Sequence, residues 1–278
     1  MSNMKEKLID SSPRPVTIKK IERILSQMKN SICKIYKCNG TGFFCNIPFN
    51  KGYFKSLITN YHVIDKKYIE DNKIIKISLN DEQKEEDIEE LNKRKIYFNA
   101  KYDITIIEIK NTDKINAEYL DLDDKIFGNN SEFYYESKSI YVLHYPKMSE
   151  ASVSFGILKN IQNDNMNHTC STEPGSSGSP IMNLLNNKII GIHKEASKYN
   201  FNIGSFIKNP INECIEFFQK ENKKEFKKKN HIKLNKSEIK VNVNENVKKN
   251  DVIPNNIPHP AFKSIKEEYP FHQKIALR

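Results

Sequence analysis

After Asn30 the chain falls into short apolar or alternating runs, each closed by a cluster of Gly, Asn, Pro or Lys. The first group is Ile32–Tyr36, Gly42–Ile47, Phe54–Thr59, Ile74–Leu79, Lys95–Asn99 and Ile104–Ile109. The second is Ser139–His144, Ala151–Asn160, Met166–Thr172, Pro180–Met182, Lys188–His193 and Phe201–Ile207. Runs of this length between turn-forming residues build antiparallel strands and leave no room for long helices between them. Two groups of about six strands predict an all-β fold of two antiparallel six-stranded β-barrels.

Helical spacing appears only at the flanks. Ile18, Ile21, Leu25 and Met28 recur at the period of an amphipathic helix, so a short one is expected from Val16 to about Met28. Pro210 is expected to open a second, with Ile211, Cys214, Ile215 and Phe218 on one face. The resulting division is an arm with a helix at 1–30 and a folded domain at 31–220. Within it, barrel one spans about 31–118, barrel two about 125–208 and a closing helix about 210–220; a Lys/Asn-rich extension follows at 221–278. The stretch Asp81–Glu90, with seven acidic residues in ten, is expected to be a solvated loop or a helical insertion.

Composition narrows the function classes. No apolar run approaches the ~20 residues that cross a bilayer, and no apolar stretch of a secretory signal follows Met1–Lys7. Five cysteines without framework spacing are expected as reduced thiols, which points to a cytoplasmic location. The net charge of +10 is carried by Lys; only Arg14, Arg23, Arg94 and Arg278 offer the guanidinium fork suited to phosphate. Residues 220–278 hold 15 basic against 7 acidic groups, so the excess belongs to the tail. That tail is either a solvated extension or a weak electrostatic contact for nucleic acid or an anionic surface.

Three segments carry chemistry. In Leu57-Ile-Thr-Asn-Tyr-His62 a strand runs into a histidine; Asp103 stands at the mouth of the strand Ile104-Thr-Ile-Ile; and Glu173-Pro-Gly175-Ser-Ser177-Gly178-Ser-Pro180 is a small-residue turn before a strand. Alone, each is ordinary turn chemistry. Their order, with each at a strand mouth, is not.

Together with Gly40-Thr-Gly42-Phe-Phe and Ile190-Gly191-Ile192-His193, these segments make the chain resemble the chymotrypsin-like (trypsin-like) serine peptidases over about residues 31–218. The resemblance implies a serine endopeptidase acting on polypeptides through an acyl-enzyme. Ser177 would be the nucleophile, His62 its general base, and Asp103 the residue that fixes the imidazole tautomer. Gly175 and Ser177 would supply the two N–H donors of an oxyanion hole. No cofactor is implied. His168 and Cys170 share a strand face, but no second pair completes a metal site.

Two departures refine this. Ser176 stands where zymogen-activated relatives carry Asp, so no trypsin-type activation switch is expected. Thr172 and His193 occupy places that, in glutamyl endopeptidases and picornavirus-type proteases, line a pocket for Glu or Gln. A hydroxyl and an imidazole suit that side chain, so cleavage after Glu or Gln is expected. Ser171 at the base position disfavours Lys or Arg. His144, before Tyr145-Pro146, is read as a loop residue near the rim. A catalytically weak protease-fold module that binds peptides or partners remains the alternative.

Overall fold

A computed structural model describes residues 12–80 and 85–224. The tail from 225 onward, the start of the acidic stretch at 81–84 and the first eleven residues lie outside the described residues, and with them the tail contacts expected above. The chain opens with α1 (Ile18–Asn30). Then come β1 (Ile32–Ile35), β2 (Gly40–Phe49), β3 (Gly52–Thr59), α2 (Lys66–Asp71), β4 (Ile75–Leu79), β5 (Glu86–Ile88), β6 (Ile96–Asn99), β7 (Ile104–Glu108) and β8 (Leu120–Asp121). After α3 (Ser131–Tyr135) follow β9 (Ser139–His144), β10 (Ser152–Gln162), β11 (Asn165–His168), β12 (Pro180–Asn183), β13 (Lys188–Ala196) and β14 (Asn202–Phe206). A last helix, α4, runs through 208–224, so Pro210 lies inside its first turn, where a missing N–H loses no helical bond.

The two-barrel expectation holds in outline, with an asymmetry. Strands β9 to β14 close into a six-stranded antiparallel barrel. The first group makes an open sheet in the order β5-β4-β1-β2-β3-β7-β6, with β8 added parallel to β2. The seventh strand on this path, β5, comes from the acidic stretch: Glu86–Ile88 pair with Ile75–Ile77, where a solvated loop or a helical insertion was expected. Ile88 is fully buried, which explains the strand; the carboxylates around it are half-buried or exposed.

Strands of the first sheet are apolar on both faces because both are covered. Ile32, Phe43, Cys45, Ile58 and Ile106 join the large core shared with the second barrel and the flanking helices. Their chain neighbours Cys33, Phe44, Leu57 and Ile107 point the other way into a second core, as the two-residue side-chain period requires. The turns use asparagine: Asn39, Asn50, Asn80, Asn130, Asn163 and Asn187 all have positive φ, a conformation Asn tolerates better than most residues. With only nine glycines in the chain, Asn supplies much of the turn chemistry.

Helix α1 forms, but its buried face is shifted: of the four expected residues, Met28 packs against the core. Ile18 is 80% exposed and Ile21 and Leu25 face outward, while Ile24 and Gln27 are buried. Gln27 decides this orientation. Its Nε2 donates to the Asn187 carbonyl at 2.9 Å and its Oε1 accepts from the Tyr141 hydroxyl at 2.7 Å, so an amide is satisfied against the second barrel. Helix α4 packs on the first sheet through Phe218 against Phe54.

Candidate active site

Strand β3 delivers His62. It ends at Thr59, and Asn60 accepts the N–H groups of Val63 and Ile64 to turn the chain. Thr59 pairs with Thr105, so the end of β3 lies beside the start of β7 and brings Asp103 to the same sheet edge. The carboxylate then grips His62 twice. Asp103 Oδ1 accepts the His62 backbone N–H at 2.9 Å, and Oδ2 lies 2.7 Å from Nδ1. Asp103 has φ +53, and Asn60 Nδ2 holds its carbonyl at 2.8 Å. A residue kept in this sparsely populated region needs such external restraint. The Asp103 side chain is 16% exposed and the imidazole 50% exposed, so the ring stays open to solvent and substrate.

The loop also has support from α4. Glu213 Oε1 accepts the Tyr102 hydroxyl at 2.9 Å, and Oε2 accepts from Tyr97 and Asn99. Ser205 Oγ donates to the Tyr102 carbonyl at 2.6 Å. The residue just before Asp103 is thus tied to the second barrel and to the last helix.

The turn 173–180 is shaped by its glycines. Gly175 has φ +96 and Gly178 has φ +90. A Cβ on Gly178 would stand 2.1 Å from the Thr41 carbonyl, and one on Gly175 would stand 2.6 Å from the Tyr145 carbonyl. Only glycine fits both the backbone conformation and the space. Thr41, at the start of β2, joins the two halves: its N–H donates to the Ser177 carbonyl at 2.8 Å and its hydroxyl to the Gly175 carbonyl at 2.8 Å.

Peptide planarity then sets two donors. The Pro174 carbonyl accepts the Lys147 N–H, and the Ser176 carbonyl accepts the Ser179 N–H. In a trans peptide the N–H points opposite to the carbonyl, so the Gly175 and Ser177 N–H groups are turned away from those acceptors. Among the described residues neither has an acceptor of its own. Free, preset N–H donors are what a developing oxyanion requires.

The Ser177 hydroxyl donates to the Lys194 carbonyl at 3.0 Å. Among the described residues it makes no hydrogen bond to His62. Of the pocket pair, Thr172 is half-buried and His193 is 3% exposed. No hydrogen bond joins them; His193 Nδ1 instead lies 3.3 Å from Nε2 of the fully buried His168. Burial holds His168 down at about 4, and burial plus the neighbouring histidines holds His193 well below the usual imidazole range. His168 therefore faces a histidine, and no group of three or more His, Cys, Asp or Glu among the described residues is placed to hold a metal. All five cysteines are free thiols.

Sequence reasoning missed His144. It is the last residue of β9, 3% exposed and not on a loop. Its Nδ1 lies 2.7 Å from Ser176 Oγ, beside Ser177. The signal available was its place at the end of an apolar run, which predicts burial.

Residues 40–192, more than half the chain and including all three segments above, match the family described as the trypsin-like peptidase domain. The chain belongs to the trypsin-like peptidases. It is a serine endopeptidase of that family. The serine endoprotease from Yersinia pestis is similar in fold, with a TM-score of 0.52 and 12% identity over 73% of this chain and 68% of that one. The Rv3671c protease of Mycobacterium tuberculosis, in an inactive form, gives a TM-score of 0.49 and 16% identity over 70% of this peptidase and 91% of that chain. A search of curated proteins finds no match. Among the described residues of the peptidase, no helix is long and apolar enough to cross a membrane.

Proposed function

We propose that the peptidase hydrolyses peptide bonds through Ser177, His62 and Asp103, with the Gly175 and Ser177 N–H groups stabilising the oxyanion. The two-point hold of Asp103 on His62 carries this. It fixes the Nδ1–H tautomer and leaves Nε2 bare as a base. Rotation of the Ser177 hydroxyl away from the Lys194 carbonyl would let His62 remove its proton as Oγ attacks the scissile carbonyl. The oxyanion then forms against the two N–H donors, His62 returns the proton to the leaving amine, and water releases the acyl group by the same steps in reverse.

The preference proposed is Glu or Gln before the scissile bond. Support comes from His193, whose Nδ1 is taken up by His168 while its Nε2 has no protein partner among the described residues. If His168 Nε2–H donates to His193 Nδ1, the remaining proton sits on His193 Nε2, a donor for a carboxylate or amide oxygen. Thr172 adds a hydroxyl.

A second possibility, a catalytically weak peptide-binding module, is favoured only by the Ser177 hydroxyl bonding to Lys194. Mass-spectrometric profiling of a cleaved peptide library decides among these. Cleavage after Glu or Gln that disappears in Ser177→Ala is the expected result. Cleavage after Lys, Arg or large apolar residues would overturn the specificity, and no cleavage by the folded protein would favour the module.

A further inference from the structure

Ser176 and Ser177 lie between two glycines of positive φ, in a turn already tied by the Ser179 and Thr41 N–H groups. A hydrogen-bond relay through buried side chains restrains it. Ser176 is fully buried, and its Oγ accepts the Glu173 N–H at 3.2 Å. Its own hydrogen is then free for His144 Nδ1 at 2.7 Å. A neutral imidazole that accepts at Nδ1 carries its hydrogen on Nε2, which lies 3.2 Å from Ser154 Oγ on β10. The relay runs from the turn through β9 to β10, and both imidazole nitrogens are satisfied. Burial holds His144 down at about 4 despite the opposing pull of the Glu173 carboxylate, so the ring is neutral and an acceptor near neutral pH.

We propose that His144 is a positioning residue of the oxyanion site, acting through Ser176 to hold the 176–177 peptide with its N–H presented to substrate. This rests on the roles given above to Ser177 and Gly175. Because the tether acts on a donor used in the transition state, its loss lowers the rate of bond formation more than binding.

The test uses the full chain and a fluorophosphonate probe, separating kinact from KI. Ser176→Ala and His144→Phe should each lower kinact by about 10- to 100-fold, with KI within threefold and cooperative thermal melting retained. His144→Asn keeps an acceptor where Nδ1 sits and should recover most of kinact. A purely structural role would instead lower the melting temperature and raise KI, with no rescue by Asn, and would overturn the proposal. So would unchanged kinact in both Ser176→Ala and His144→Phe while Ser177→Ala abolishes labelling. Labelling that survives Ser177→Ala would remove the nucleophile assignment itself, and the proposal with it.

Discussion

The two halves of the site use the same side chain in opposite ways. In the open first sheet, His62 is half exposed and paired with a carboxylate. In the closed second barrel, His144, His168 and His193 are at most 3% exposed and face hydroxyls or one another. An imidazole that must exchange protons with a substrate needs access and a counter-charge. One that only holds geometry is better buried and neutral, because a charged ring there would lack a partner. The first half therefore leaves its imidazole open beside a carboxylate, and the second keeps its imidazoles buried against hydroxyls or one another.

The largest effect should come from breaking the charged half. Asp103→Asn should lower kcat by about ten-thousand-fold, because the amide favours the wrong His62 tautomer. Steady-state assays on a peptide carrying the preferred residue would measure it, and a loss below tenfold would argue against the tautomer role.

A smaller effect should appear in the neutral half as pH dependence of stability. The folded pKa of His168 is about 4 against an ordinary 6.5, so the unfolded chain binds the extra proton between those values. Stability from this ring is complete above about 6.5 and is lost as pH falls toward 4, on the order of 3 kcal/mol. Urea midpoints should therefore fall from pH 7 to 4.5, and His168→Leu should flatten that slope. An unchanged slope would mean that the ring is protonated inside the barrel.

The smallest effect concerns the helix on that barrel. Ile18→Gln should change stability by less than about 0.5 kcal/mol, since the side chain is 80% exposed. A larger loss by thermal melting would show that the outward face of α1 is covered in solution.

Strand positions were legible because the runs are short, apolar and punctuated; twelve sequence runs lie on or beside observed strands. The missed strands are those with weak local signals. Residues 86–88 sit in an acidic segment, and 120–121 form only a two-residue parallel pair with β2. The α1 face was misread for a related reason. Periodicity ranks Ile18, Ile21 and Leu25 as core, but the polar Gln27 found partners on Asn187 and Tyr141, and those sites are distant in sequence. His62, Asp103 and Ser177 could be singled out because each lies within three residues of a strand end, in a short turn segment. His144 could not, since nothing near it in the chain announces Ser176, 32 residues on.

Sequence alone determined that this chain makes β-structure in two groups and that a histidine, an aspartate and a serine stand at strand mouths, because side-chain period and turn chemistry are local properties. Only the tertiary structure decided that one sheet stays open while the other closes, that Asp103 grips His62 through two oxygens, and that His144 reaches the turn beside Ser177. Those outcomes depend on which buried polar groups find partners across the fold, and a linear pattern carries no record of distance in space.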